Sequence, residues 1–305
     1  MKVFLTGGTG FIGSYVVTEL VNKGHEVTIL ARNPGKIPAF LANPSIKLLK
    51  GEIKDREVIK AGLYGKDAVV HLALGEFSTA VGAVENDVLP LAYIMETAAL
   101  MGIKNLISTS TIATYGNIQK PYAEDQPTRP IAFYGAAKAC AEDLVFAVAQ
   151  VYGVRANFVS PGFTFANAIG EGGTLYHDPR FFYIAKQARE GKDIEVVKHT
   201  GTQFIHAEDL AKIYSELVVT TTHNRRVFIG MGNEFVTWEE IANMAAEIGG
   251  KSKVIPIDQD LTNVTPSVTK NYPIDLSPIK GAFGFDFPSR AKIREHVKWL
   301  IENWQ

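Results

Sequence analysis

Short apolar runs and longer stretches of helical period alternate along the first half of the chain. Lys2–Leu5 is a β-rich run, after which Ile12, Tyr15, Val16, Leu20 and Val21 recur at helical spacing. The runs Glu26–Leu30, Ile46–Leu49, Asp67–Leu72, Ile103–Ser108 and Val154–Val159 predict further strands. Helices are expected up to about Leu63, from about Val81 to Met101, and over the Ala-rich stretch Phe133–Tyr152. Such alternation demands a parallel sheet covered on both faces by right-handed crossovers. Ligands of such sheets bind at the C-terminal ends of the strands.

After Pro161 the rhythm loosens into a Gly-rich, aromatic loop over 162–178. A helix at Pro179–Glu190, a strand at about Ile194–Val197, a helix at Glu208–Thr220 and a strand at Val227–Ile229 follow. Thr237 and Glu240 form a capping box at the start of a helix running to Ile248, and an amphipathic helix at about Ser289–Asn303 closes the pattern.

The first strand ends in Thr6-Gly7-Gly8-Thr9-Gly10-Phe11-Ile12-Gly13. Strand, glycine turn and helix start make a phosphate cradle, where free backbone N–H groups and the positive end of the helix dipole converge. Gly7 permits the tight turn, Gly10 lets the backbone approach a pyrophosphate, and Gly13 lets helix and strand pack closely. Bulk properties narrow the partners. Lys+Arg 31 against Asp+Glu 32 leaves a net charge of −1, so no nucleic-acid or membrane surface is expected. Cys140 is the single cysteine, which excludes an internal disulfide and a cysteine metal cluster, and it is expected as a small buried hydrophobe. The seven histidines have no metal-ligand spacing, so no metal is expected. Met1–Leu5 reads as a strand and not as a signal peptide, and a cytoplasmic location is expected.

A second constellation follows the fifth strand. Ile107-Ser108-Thr109-Ser110-Thr111 ends that strand, and Tyr134 and Lys138, four apart, share one face of the next helix. A nearby ammonium stabilises a phenolate, so Tyr134 can exchange a proton with a substrate hydroxyl or carbonyl while a hydride moves to or from a nicotinamide. Thr111, in preference to Ser110, would orient the same oxygen.

Together these motifs resemble the extended short-chain dehydrogenase/reductases, the NAD(P)-dependent epimerase/dehydratase group. Thr6–Gly13 matches the glycine signature, Gly51-Glu52-Ile53 the adenine-side segment, and His71-Leu72-Ala73 the end of the fourth strand. Ser110–Gly116 matches the segment that carries the catalytic hydroxyl, and Phe204–Asp209 resembles a further family segment. The resemblance implies an α/β fold: a Rossmann-type doubly wound parallel sheet with a smaller, mostly C-terminal substrate-binding lobe. Residues 1–165 would form the NAD(P)-binding domain, which also receives about 200–232, and 166–199 with 233–305 would form the lobe. It further implies a catalytic triad of Thr111, Tyr134 and Lys138, with Lys138 also on the nicotinamide ribose. Cofactor contacts are implied for Gly7, Gly10, Phe11, Ile12, Gly13, Arg32, Glu52, Ile53, Leu72, Ala73, Asp87, Thr109, Tyr134, Lys138 and Pro161.

Departures from the family pattern carry the finer expectations. Ala31 and Arg32 stand where members that prefer NAD end the second strand with an acidic residue, so NADP is expected over NAD. Asp87 replaces an asparagine near the cofactor and Pro90 a glycine. Thr202 replaces an arginine that holds the substrate pyrophosphate in nucleotide-sugar members, and Phe163 replaces an asparagine after the sixth strand. A diphosphate would then be poorly held unless Lys198, His199 or Lys270 compensates. Ile112 and Ala113 replace the acidic pair of dehydratases, which argues against dehydration. Phe163, Tyr176 and His177 are the candidate substrate contacts, and Asp178 beside them is a second polar group in that loop. His206 reads as a structural contact at a strand end.

The expected function is an NAD(P)-dependent dehydrogenase or reductase acting on a small, sugar-like or otherwise hydroxylated substrate. Epimerisation by transient oxidation needs the same triad and is the alternative. A redox-inactive NADP-sensing protein is a reading of another class, against which the intact triad argues. The outer faces of helices 81–101 and 133–152 are expected to pair into a homodimer.

Overall fold

Seven strands between Lys2 and Gly230 build one parallel sheet in the order β3-β2-β1-β4-β5-β6-β11. The structure is a computed structural model, and it describes residues 1–75, 78–116, 124, 126–175, 178–258 and 274–304. The sheet strands are β1 (Lys2–Thr6), β2 (Glu26–Ala31), β3 (Ile46–Lys50), β4 (Ala68–His71), β5 (Asn105–Thr109), β6 (Arg155–Pro161) and β11 (Arg226–Gly230). Between them lie α1 (Phe11–Asn22), α2 (Pro38–Leu41), α3 (Arg56–Leu63), α4 (Ala80–Ala83), α5 (Leu89–Leu100), α6 (Phe133–Tyr152) and α8 (Ala207–Val219). The remainder comprises β7 (Thr164–Phe165), α7 (Pro179–Glu190), β8 (Ile194–Val197), β9 (Gly201–Thr202), β10 (Ile205–His206), β12 (Val236–Thr237), α9 (Trp238–Gly249), β13 (Val254–Ile257), α10 (Ser277–Phe283) and α11 (Arg290–Asn303).

Both sheet faces are covered, which is why the strands read as continuous apolar runs. Val3 and Leu5 point to the face packed by α1 and α8, with Val16, Leu20, Leu210 and Leu217. Phe4 points to the other face, with Ile59, Ile94, Met95 and Val145 of α3, α5 and α6. A separate aromatic core forms where α7, α9 and α11 meet: Phe165, Phe181, Phe204 and Trp238 lie edge to face around Ile241 and Val297. The register aligns Thr6 with His71, His71 with Ser108, and Thr109 with Val159. Strand order reverses between β1 and β4, so the C-terminal ends of these two strands flank the crevice where such sheets bind ligands.

Two expectations are corrected. The helix from 81 to 101 is not continuous: a π turn, Val84–Val88, separates α4 from α5, with Leu89 N–H reaching Val84 O. Pro90 explains the break, since it has no N–H to donate and its ring crowds the carbonyl four residues earlier. Cys140 is exposed and not buried. It lies on the stripe Ala136–Cys140–Leu144 of α6, which turns away from the sheet.

Candidate active site

The glycine turn is close-packed by design of its sequence. A Cβ on Gly7 would lie 2.6 Å from Ala73 N, and one on Gly13 would lie 2.1 Å from Gly7 O. Gly7 also holds φ +79°, a backbone state that favours glycine. Leu72 and Ala73 therefore run alongside the turn, across the switch point. Gly10 N–H closes the turn on Gly7 O at 2.9 Å and caps α1 with no side chain of its own. The amino end of α1 is thus left for an anionic ligand. Phe11 is buried against Ala166 and Ala207, and Ile12 packs beside it. This cradle fits the pyrophosphate of a dinucleotide, because the cap of α1 carries no side chain and the backbone closes at Gly7 and Gly13 more tightly than a Cβ would allow.

Arg32, exposed, directly follows β2, and Glu52 and half-buried Ile53 follow β3 beside it. Gly51 N–H donates to Ala31 O at 3.2 Å and holds the two loops together. A second cation lies nearer the turn. Lys36 Nζ donates to Thr9 O at 3.0 Å and to Thr174 Oγ1 at 2.6 Å, both neutral acceptors. Sequence reasoning missed Lys36; its signal was a cation just past the Pro34-Gly35 break.

Thr111 lies just past the end of β5, and Tyr134 and Lys138 lie in the first turns of α6. Ser110 is fully buried and its hydroxyl donates to Glu142 Oε1, so it is committed inside the fold. Thr111 is 7% exposed and caps the short turn Ile112–Tyr115 by accepting Ala113 N–H at 3.2 Å. A Cβ on Gly135 would lie 2.5 Å from Ala113 O, so glycine lets the start of α6, which carries half-buried Tyr134, approach the turn that Thr111 caps. Lys138 follows one turn later. The Thr109 hydroxyl is engaged inward, donating to His71 O at 3.2 Å and sharing a 2.7 Å bond with Tyr214. Burial pushes the Tyr214 phenol up, and charge on Tyr134 adds to this. Pro161 ends β6, buried.

Lys138 is 2% exposed and its ammonium lies 3.2 and 3.1 Å from the two carboxylate oxygens of Asp87, which is 1% exposed. Asp87 Oδ1 also accepts Gly75 N–H at 3.2 Å. His71 Nδ1 lies 2.8 Å from Thr6 Oγ1, and burial, with the Lys138 charge, lowers this imidazole to about 4, so it is neutral. Burial raises Glu142 to about 7. Neither Glu142 nor Gly135 was singled out from the sequence, because their roles depend on which helix face meets β5.

On the substrate side, half-buried Phe163 packs with Ile112, Met231 and Ile274, and its ring meets Phe204 edge-on at 6.2 Å. Thr202 is 1% exposed within β9, which pairs with β12. The Gln203 amide accepts Ile274 N–H at 2.7 Å and donates to Gly232 O at 3.2 Å. Lys198 is paired with Asp258 at 3.0 Å, and His199 is exposed. Asp178 does not stand open to a ligand: it caps α7 and binds Arg180 Nε at 2.8 Å. Tyr176, His177 and Lys270 lie outside the described residues. His206 caps α8 by accepting Glu208 N–H at 3.3 Å, and burial lowers it to about 4. Among the described residues no helix is long and apolar enough to cross a membrane.

The family model for the NAD dependent epimerase/dehydratase family matches residues 3–230. A UDP-glucose 4-epimerase of Streptomyces lividans is 30% identical over 255 residues, 76% of each chain. One from Corynebacterium glutamicum is 29% identical over 275 residues, 82% of this chain and 81% of that protein. Among solved structures, the UDP-glucuronic acid 4-epimerase of Bacillus cereus in complex with NAD superimposes with a TM-score of 0.81 at 19% identity over 100% of both chains. The UDP-glucose 4-epimerase of Thermotoga maritima with UDP-glucose gives 0.77 at 21% identity, over 99% of this chain and 98% of that one. With the seven-stranded Rossmann-type sheet, the matched family and the dinucleotide cradle in agreement, the chain is an enzyme with a nicotinamide cofactor and belongs to the NAD dependent epimerase/dehydratase family.

Proposed function

We propose that this enzyme is an NADP-linked oxidoreductase that interconverts a hydroxyl and a carbonyl on a small substrate, with Tyr134 as general acid and base. The observation that supports the reading is the position of Thr111 just past β5, where it caps the turn that α6 approaches, with half-buried Tyr134 and buried Lys138 one turn apart on α6. The bound nicotinamide supplies the hydride donor or acceptor. Tyr134 gives its proton to the substrate oxygen in reduction and takes it back in oxidation. The Thr111 hydroxyl orients that oxygen, and the Lys138 ammonium steadies the phenolate left behind.

Arg32 and Lys36, two cations at the rim of the cradle with no acidic residue ending β2, support NADP over NAD. Burial of Thr202 and the apolar surroundings of Phe163 support a substrate without a diphosphate. The aromatic core of α7, α9 and α11 supports residues 166–199 and 233–305 as the substrate-binding lobe. Val81, Val84, Leu89 and Leu100 on one side and Phe133, Leu144 and Val151 on α6 are exposed, which supports a homodimer through these helices.

Epimerisation is the second reading, favoured by the UDP-sugar 4-epimerases among the relatives. Net change in NADPH absorbance during turnover separates the two, since an epimerase returns its hydride. Tyr134→Phe should lower turnover by about 10²–10⁴-fold and leave nucleotide binding nearly intact. Undiminished turnover in that variant overturns the catalytic assignment.

A further inference from the structure

Lys36 joins the glycine turn to a loop from the far side of the sheet, the one between β7 and α7. Its ammonium donates to Thr9 O at 3.0 Å and to Thr174 Oγ1 at 2.6 Å, and the Thr174 hydroxyl in turn donates to Thr9 O at 3.2 Å. A cation from the loop after β2, a carbonyl of the glycine turn and a hydroxyl of the β7–α7 loop thus close a ring. The backbones meet as well. Gly172 holds φ +74°, and a Cβ there would overlap Lys36 O, so glycine is what lets the two loops pass this closely. The β7–α7 loop is moored to the cradle a second time through Tyr15 of α1, whose hydroxyl donates to Asn167 O at 2.8 Å.

The Lys36 backbone is held from both sides. Asn33 caps the short turn Pro34–Lys36 by accepting Gly35 N–H at 3.2 Å, and Ile37, the next residue, is buried in the core under α1 and α8. The charge of Lys36 is not neutralised in the same way. Both acceptors are neutral oxygens, one of the three N–H groups is left over, and no carboxylate pairs with the ammonium among the described residues. Glu171, beside Gly172, is exposed and makes no ion pair among the described residues, and Asp178 is committed to Arg180. A half-buried ammonium facing only neutral oxygens has lost hydration that an ion pair would have returned. A fixed cation with a spare donor at the rim of a phosphate cradle matches a phosphate dianion.

The position of the loop says which phosphate. β2 pairs with β1 as far as Leu30 and Thr6, so the loop that carries Arg32 and Lys36 sets out beside the glycine turn. In dinucleotide sites this side meets the adenosine ribose, whose 2′ position bears a phosphate in NADP and a hydroxyl in NAD.

We infer that Thr174 is a positioning residue for the nucleotide: with Gly172 it holds the Lys36 ammonium for the ribose 2′-phosphate of NADP, and that phosphate in return fastens the β7–α7 loop. This rests on the reading of the cofactor as NADP. The two effects are one coupling free energy, because a loop that raises phosphate affinity is itself tightened by phosphate by the same factor. NADP then orders, more firmly than NAD does, a loop that runs on from Phe163, the residue expected at the substrate.

Calorimetric titration of the full chain with NADPH and with NADH tests this with no substrate present. Thr174→Val keeps the shape and removes the hydroxyl; it should weaken NADPH about fivefold and leave NADH within about twofold of the parent. Thr174→Ser restores the hydroxyl and should bring NADPH back to within about twofold. Should the valine variant fold poorly, Thr174→Ala makes the same comparison. Lys36→Met should weaken NADPH by about tenfold, and adding Thr174→Val to it should then cost little more. Hydrogen exchange over residues 166–175 should slow more with NADPH than with NADH in the parent, and to the same extent with both in Lys36→Met. Unchanged NADPH affinity in Thr174→Val, an NADH loss as large as the NADPH loss, or a loss that serine does not rescue overturns the inference. A parent that binds NADH as tightly as NADPH overturns the NADP reading and the inference with it. A parent whose NADPH preference survives Thr174→Val intact overturns the inference alone.

Discussion

Replacing Glu142 by glutamine should remove a pH-dependent cost from the fold. Glu142 is 6% exposed, one turn beyond Lys138, and burial is the largest influence on its carboxyl. The Ser110 hydrogen bond and Lys138 oppose that influence and Asp143 adds to it, leaving the group at about 7 against an ordinary 4.5. A carboxyl raised in the folded state binds its proton more tightly there than in the unfolded chain. Between the two values the native state therefore holds more protons, and stability falls as pH rises from about 4.5 to about 7, then levels off. A difference of about two and a half pH units corresponds to a total of about 3 kcal/mol. Glutamine keeps an acceptor for the Ser110 hydroxyl and cannot ionise. Urea unfolding of parent and Glu142→Gln at about pH 5 and about pH 8 should show the variant gaining on the parent by about 2–3 kcal/mol at the higher pH. His71 and His206 are lowered in both proteins, and their contributions cancel in the comparison. A gap that is the same at both pH values, within about 0.5 kcal/mol, would refute the reasoning, because a buried carboxyl with ordinary proton affinity carries no such slope.

Two further outcomes follow from the cofactor rim and the outer helices. NADPH should bind more tightly than NADH by calorimetry, and Arg32→Ala should narrow the gap by about tenfold, the worth of one charge-assisted contact of about 1.4 kcal/mol; tighter NADH binding by the parent would reject the preference. Light scattering should give a dimer mass, and a charged substitution at exposed Val151 or Leu144 should shift it towards the monomer. A monomeric parent would reject the interface.

Much of the fold was legible because it rests on local pattern. The runs at Glu26–Leu30 and Ile46–Leu49 are buried or half-buried strands, and Phe133–Tyr152 has the same bounds in the sequence reading and in the structure. The Thr237–Glu240 capping box is present with both of its hydrogen bonds. The failures lie where a non-local partner or a single backbone atom decides. Helical periodicity could not reveal that Pro90 would open a π turn, since the side-chain spacing alters by one residue. Cys140 sits among alanines, which are compatible with either face of a helix, and its exposure depends on how α6 meets the sheet.

The same distinction separates the two halves of the site. The cofactor side is written in short motifs: Gly7, Gly13 and Leu72-Ala73 meet because a parallel sheet aligns its strand ends, so contiguous residues predict the geometry. Charge balance around the proposed triad is not contiguous. Asp87, Lys138 and Glu142 come from the π turn and α6, and their mutual distances follow from helix packing over the sheet. The substrate side is less local still. By resemblance Thr202 stands at an arginine position, but what that substitution means depends on packing around it. Thr202 is buried in a strand pair, Gln203 ties down the chain at Ile274 through its amide, and Phe163 joins an apolar cluster with Met231. The surroundings of Thr202 are thus committed to core contacts and satisfied hydrogen bonds. On the proposed reading, a diphosphate placed beside Thr202 would break the Gln203 contacts or displace Phe163, each a cost of about 1–3 kcal/mol before any phosphate contact is gained. A substrate that presents a carbonyl or hydroxyl to Tyr134 and an uncharged surface to Phe163 meets no such cost.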